Sequence, residues 1–272
     1  GRYNTWTGIA PTQKGTIMEL LSPGNDTLYW NPEFCRFWTN LGSDLRQLDP
    51  FACTPAWQLA FHDAFFPMLR MVMARNGSSL VIFCEHKASS GGTYLLPVES
   101  MWLSGCPVLG PQGLPLLRNM VDAYVSANGG IHPGIVVSGI SPGSLFEEEL
   151  WRYFHADHEF RVYPTAEQRA ASLRGGYDGY LSRRSPNLRS KLKKARRKAL
   201  EKGITFERHV PATLAEADTL YARMIDVESR SWKGIEACGM TESPSKEFYH
   251  AMIRRLALYG GGRVIFAVCG GQ

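Results

Sequence analysis

Tyr177-Asp-Gly-Tyr-Leu-Ser-Arg-Arg-Ser-Pro186-Asn-Leu-Arg-Ser-Lys-Leu-Lys-Lys-Ala-Arg-Arg-Lys-Ala-Leu-Glu-Lys-Gly-Ile-Thr-Phe206 is the stretch whose reading decides the fold. Ser185 suits an N-cap, and Pro186 suits the first helical position, where no N–H bond is lost. Leu188, Leu192, Ala195 and Ala199 recur at helical spacing as one narrow apolar stripe. Gly203 stands where a left-handed C′ residue belongs. The spacing predicts a helix over Pro186–Lys202, about 25 Å long. Between Arg183 and Lys202 there are ten Lys and Arg and a single acid, Glu201, so this stretch carries +9 while the whole chain carries +5. The remainder is net negative, and the overall basicity reports one element. Such a helix faces a polyanion, a phosphate-bearing ligand, an acidic partner or water. Its like charges repel along one face without an (i, i+4) acid to relieve them.

Around it, 272 residues with 44% apolar and 11% aromatic content hold enough for one large domain or two small ones. No uncharged apolar run reaches the ~18 residues of a membrane span. Ala56 to Ala74, the most apolar region, includes His62, Asp63 and Arg70 and reads as a buried helix. No signal peptide is evident. The chain opens at Gly1 without a Met, so a natural start ahead of it is expected. Six scattered cysteines without C-x-x-C point to a reducing, cytoplasmic compartment. His155-Ala-Asp-His158 could put two rings on one helix face, but no third ligand is evident and no metal site is expected.

In chain order, Ser22 to Asp26 is a turn cluster, and Tyr29, Trp30, Phe34, Phe37 and Trp38 are dense aromatics read as core or lid. Thr54-Pro55 opens a helix burying Trp57, Ala60, Phe61, Ala64, Phe65 and Met68. Strands are expected over Ser79–His86 and Thr93–Val98, a helix near Leu116–Ala127 and a buried strand over Gly134–Ser138. A helix should start at Ser141-Pro142, and a further strand run over Glu159–Tyr163. After the basic helix come a strand over Ile204–Val210, a capping box at Thr213–Glu216 and its helix, whose apolar face is Leu214, Ala217, Leu220, Tyr221, Met224 and Val227. A second helix follows Ser243-Pro244, with Phe248, Met252, Ile253 and Leu256 inward, and then a strand over Arg263–Cys269. Strands alternating with helices argue an α/β or α+β mixed sheet.

Strand, helix, helix, strand, Gly turn resembles the opening of the GNAT N-acetyltransferase fold. Tyr180-Leu-Ser-Arg-Arg-Ser-Pro186, Arg189-Ser-Lys-Leu-Lys-Lys-Ala-Arg-Arg197, Val227-Glu-Ser-Arg-Ser-Trp-Lys-Gly234, Phe248-Tyr249 and Arg263–Ala267 resemble tandem GNAT-like proteins associated with cellulose and exopolysaccharide biosynthesis. The Fem-type peptidoglycan-bridge aminoacyltransferases are more distantly similar. The resemblance implies two GNAT-like units: a first, often degenerate, over residues 1–176; the basic linker helix over 177–203; and a second over 204–272, incomplete in this chain. It implies acyl transfer from acetyl-CoA or another acyl-CoA to an amine on a small molecule, amino sugar or peptide. Aminoacyl-tRNA is the alternative donor, and a non-catalytic module binding a polyanion or protein partner is an alternative of another class.

GNAT folds hold the pyrophosphate on a [QR]-x-x-G-x-[GA] loop at a helix N-terminus. No such loop occurs here, and in the second unit it would fall after Gln272. Gly110-Pro-Gln-Gly113 has the wrong spacing, Pro111 removes an amide, and the segment reads as an ordinary turn. In the resemblance Glu228 is the candidate base or amine ligand, with Asp226 a weaker one; Trp232 would cover the acceptor and Lys233 would bind an acidic group. Helix-end, core and exposed-lysine roles compete with these readings. Arg183, Arg184, Arg189, Lys193 and Arg197 are the candidate phosphate contacts, the last three sharing a face at (i, i+4). No Walker loop occurs.

Overall fold

The computed structural model describes residues 17–21, 31–44, 47–163, 169–259 and 261–270. The Ser22–Asp26 cluster, Tyr29 and Trp30 lie outside them. The chain packs as two compact units, Gly1–Phe160 with Pro211–Gly262, and Arg161–Val210 with Arg263–Gln272.

In the first unit a six-stranded mixed sheet contains β1 (Ile17–Leu21), β2 (Met71–Arg75), β3 (Leu80–Lys87), β4 (Thr93–Pro97), β5 (Val108–Leu109) and β6 (Gly134–Ile135). The order β1-β2-β3-β4 is antiparallel throughout, and β6 adds parallel to β4 through Tyr94↔Gly134 and Leu95↔Ile135. The β5 strand pairs with the start of β3, at Leu80 and Val81, while β4 pairs with Phe83 to Lys87. Along β2 and β3, Met71–Ala74 and Leu80–Cys84 are buried without alternation, so both faces of the sheet are covered. The covering helices are α1 (Pro32–Gly42), α2 (Pro55–Phe65) and α3 (Gly113–Ala127), and they bring Phe34, Trp38, Leu59, Leu117, Met120 and Val121 into one core. Asn31 caps α1, its Oδ1 accepting from Glu33 and Phe34 amides. Helix α4 (Leu145–Phe154) closes this run.

Between β4 and β5 the chain wraps around one carboxylate. Glu99 is fully buried and accepts from the amides of Met101, Trp102, Leu103 and Ser104. Gln58 of α2 accepts from the Glu99 amide at 2.8 Å and donates to Ala52 O at 2.7 Å. This arrangement meets the backbone donors of a loop that has no ladder to join.

Three further helices belong to this unit: α7 (Leu214–Ser229), the one-turn α8 (Trp232–Ile235) and α9 (Ser245–Leu258). Phe248 of α9 packs with Ala60 and Phe61 of α2, and Trp57 meets Phe248 edge-on at 5.1 Å. The fully buried Arg255 donates to Asp63 at 2.6 Å. This grouping differs from the division 1–176, 177–203 and 204–272 expected in chain order, because α9 presents Phe248 and Arg255 to α2.

The second unit contains α5 (Gly176–Ser182), α6 (Pro186–Glu201), β7 (Thr205–His209) and β8 (Val264–Val268). The strands pair antiparallel from Thr205↔Val268 to His209↔Val264. Ser185 caps α6 by accepting from the Leu188 amide, and Gly203 stands at φ +65° in the position expected of it. Among the described residues no helix is long and apolar enough to cross a membrane.

Several expectations are corrected. Ala56 to Ala74 is not one helix: Pro67 follows the end of α2, the chain re-enters as β2, and Met68 is 82% exposed. Of the expected buried strand, Gly134 and Ile135 form β6, and they are half-buried. The helix expected from Ser141 starts at Leu145, capped by Ser144. Glu159–Tyr163 forms no strand, for no neighbour completes its ladder among the described residues. Val227 is exposed, and Ala217 and Tyr221 are the buried side of α7. Cys269, the last residue of the strand expected over Arg263–Cys269, is exposed just beyond β8.

The thiols divide sharply. Burial pushes Cys53 up to about 11 and Cys84 and Cys106 up to about 12, and it raises Cys35 as well. Cys238 and Cys269 are exposed. With Ellman's reagent at about pH 8, two of the six thiols should react rapidly in the folded protein and all six in denaturant. Rapid reaction of four or more in the folded state would contradict this packing.

Candidate functional site

In the first unit the candidate residues meet where α7 ends. The Ser231 amide donates to Glu228 O at 2.9 Å, reversing the chain into α8. Ser231 caps α8 by accepting from the Gly234 amide, and its hydroxyl lies 3.4 Å from Glu228 Oε2. Two glycines permit this closeness. A Cβ on Gly234 would meet Glu228 O at 2.4 Å, and one on Gly239 would meet Glu228 Oε1 at 2.4 Å. The Glu228 carboxylate is therefore half-buried beneath the Gly239 backbone, beside the Lys233 side chain.

Trp232 is 63% exposed at this corner, and the Lys233 ammonium lies 5.8 Å from its ring centroid. Asp226 is held outside by Arg230, whose Nη2 donates at 2.8 Å to an exposed carboxylate. The structure thus brings Glu228, Trp232 and Lys233 together and turns Asp226 to another partner. A half-buried carboxylate with an open indole and a cation beside it can accept a proton from an amine or hold an ammonium.

The basic residues of the second unit divide into two sets. Arg183 donates to Ser172 O at 2.9 Å and Arg174 O at 2.8 Å, and so braces the loop before α5. Arg184 lies over the Tyr180 ring at 4.3 Å. These two arginines organise their own surroundings. Along α6 no residue is buried, and Arg189, Lys193 and Arg197 project from an exposed helix. The expectation that no acid relieves the charge is corrected at one place: Glu201 stands one turn after Arg197, at 3.4 Å. Both groups are mostly exposed, so that pair contributes little. The expected apolar stripe is open too, with Leu188 36% and Leu192 38% exposed.

Gly110 to Gly113 is a packed turn. The Gln112 amide donates to Ser79 Oγ at 2.8 Å and the Gly113 amide to Gly110 O at 3.1 Å. A Cβ on Gly110, at φ +86°, would meet Ser78 O at 2.2 Å. The amides a pyrophosphate would need here are already engaged.

Sequence reasoning missed two polar clusters in the first unit. His250 Nε2 lies 2.6 Å from Asp218 Oδ1, its ring stacks on Tyr221 at 4.7 Å, and Arg254 donates to both oxygens of Asp218. Burial would raise the Asp218 carboxyl, but His250 and Arg254 hold it below its ordinary value. Elsewhere Glu85 accepts from both Tyr124 and Arg70 at 2.5 Å. Burial and the facing Glu85 push the Tyr124 phenol well above its usual range. The (i, i+4) spacing of His250 and Arg254 was visible in the sequence, but Asp218 lies on another helix.

A family model described as Acetyltransferase (GNAT) domain matches residues 186–272. Comparison with curated proteins and with solved structures finds no match. Residues 186–272, from the basic helix through β8, therefore match a GNAT acetyltransferase domain, and the match supports an acyltransferase-type function in general.

Proposed function

We propose that the protein is an N-acyltransferase that moves an acetyl or other acyl group from a CoA thioester to an amine. The observation that carries this reading is the Glu228 corner, which lies within the matched residues and places a half-buried carboxylate beside an exposed Trp232 and Lys233. Glu228 takes a proton from the acceptor ammonium, the freed nitrogen attacks the thioester carbonyl, and the C–S bond breaks with the thiolate taking the nitrogen's surplus proton to leave as the thiol while the amide forms. Trp232 covers the acceptor, and Lys233 holds an acidic group on it.

The order strand, helix, helix, strand occurs twice, as β1, α1, α2, β2 and as β7, α7, α9, β8 with α8 inserted. This repetition supports a tandem GNAT-like reading, with an amino sugar among the acceptors that an exopolysaccharide setting offers. Six free thiols accord with a cytoplasmic setting.

Calorimetric titration with acetyl-CoA, using desulfo and adenosine-only fragments as controls, tests the donor. Binding that needs the full donor is expected. Failure of a folded protein to bind would remove acyl-CoA transfer by these residues.

A second reading has its own observation, the full exposure of α6. There the helix binds a polyanion such as single-stranded RNA. Changing Arg189, Lys193 and Arg197 together to Gln should flatten the log–log salt dependence by about 2. An unchanged slope would eliminate this reading.

A further inference from the structure

The cluster at the end of α4 lies apart from the Glu228 corner in sequence and in chemistry. The ligand-capable atoms of His132, Asp157 and His158 all lie within 4.8 Å of one another. His155, the partner suggested by sequence spacing, instead stacks on Trp151 at 4.2 Å. We propose that His132 and His158 form a site for a borderline divalent transition-metal ion such as Zn2+, with Asp157 orienting His158.

Asp157 is held from two sides. Its Oδ1 accepts from Arg118 Nη1 and from His158 Nδ1, both at 2.9 Å, and its Oδ2 lies 2.7 Å from Arg118 Nη2. Paired with the Arg118 guanidinium, the Asp157 carboxylate only accepts, so in the neutral imidazole Nδ1 of His158 carries the proton and Nε2 the lone pair. That Nε2 atom is buried and has no hydrogen-bond partner among the described residues.

The ring is fixed as well as polarised. It meets Phe154 edge-on at 5.4 Å, and the His158 amide donates to Phe154 O at 2.9 Å. A fixed imidazole with a carboxylate on one nitrogen and a bare, buried lone pair on the other is the arrangement found behind metal-ligating histidines.

His132 supplies the second nitrogen. Its ring centroid lies 5.5 Å from that of His158 at a steep angle. It is exposed, so its rotamer can bring the two nitrogens to the about 3.3 Å that tetrahedral ligands of one ion require. Arg118 does not make the cluster cationic: it also pairs with Asp122, so Arg118, Asp122 and Asp157 together are net negative. Both Asp157 oxygens are taken, so it orients rather than ligates, and water fills the remaining positions. Two imidazoles and water select Zn2+, Ni2+ or Cu2+ over Mg2+ or Ca2+.

The test is a Zn2+ titration of the full, tag-free chain against a chromophoric chelator, with Co2+ absorption as a spectroscopic check. One site is expected. His132→Ala and His158→Ala should each weaken it at least ~10-fold, and Asp157→Asn by about 10- to 100-fold. His155→Ala should leave it unchanged. Absence of binding at millimolar Zn2+ would overturn the site, as would undiminished affinity in the His132 or His158 variant. Undiminished affinity in the Asp157 variant would overturn its orienting role. Far-UV circular dichroism confirms that each variant is folded.

Discussion

Glu228→Gln is expected to reduce acyl transfer to an amine by about 10²- to 10⁴-fold while leaving acetyl-CoA binding unchanged. The substitution is nearly isosteric. A Gln side chain keeps the contact beneath Gly239 and still accepts from Ser231, so the corner should retain its shape. What is lost is the ability to take a proton. If Glu228 acts as base, the loss falls on kcat across a panel of amine acceptors. If it only holds the acceptor ammonium, KM rises and kcat persists. Raising the pH separates these outcomes, because a substrate already deprotonated needs no base and activity of the variant should partly recover. Undiminished kcat/KM in Glu228→Gln would remove this residue from the chemistry. Trp232→Ala should act mainly on KM, since an exposed indole contributes contact and not proton transfer.

Asp63→Ala is expected to destabilise the first unit by about 3 kcal/mol, a fall in Tm of roughly 6–12 °C for a unit of this size. The Arg255 side chain is fully buried, whereas Asp63 is 35% exposed. Removing the carboxylate takes the Asp63 contact away from a fully buried guanidinium between α2 and α9. The loss comes less from the missing attraction than from the buried charge left behind. The reciprocal experiment follows. Arg255→Met combined with Asp63→Ala removes the buried charge and should recover much of the stability, and the cycle of single and double variants measures the coupling. A shift below ~1 °C for Asp63→Ala would show that the ion pair contributes nothing to holding α9 against α2.

The legible elements are those whose signals lie within a few residues. Ser185, Pro186 and Gly203 bound α6 because a cap bonds to amides two or three positions away and a left-handed terminus needs only a glycine. The runs Leu80–Phe83 and Val264–Val268 announce strands for the same local reason. At Glu159–Tyr163 the pattern suited a strand but no neighbour among the described residues supplied its ladder, and Val162 and Tyr163 lie exposed. Pro67 divided an apolar stretch that periodicity alone read as one helix. At the candidate site, the closeness of Glu228, Trp232 and Lys233 was legible because six residues of sequence hold them. Their enclosure by Gly239 was not, since it depends on how the following loop folds back.

The sequence by itself determined the mixed α/β class, the basic helix and its charge, and the short motif that ends α7, because hydrogen bonds between near neighbours and local charge specify them. Only the tertiary structure decided that α9 packs on α2 through a contact 192 residues apart. The same holds for the joining of Asp218 to His250 and of His132 to His158. Those contacts depend on which apolar faces cover one another, and side chains distant in sequence meet only after that burial is complete.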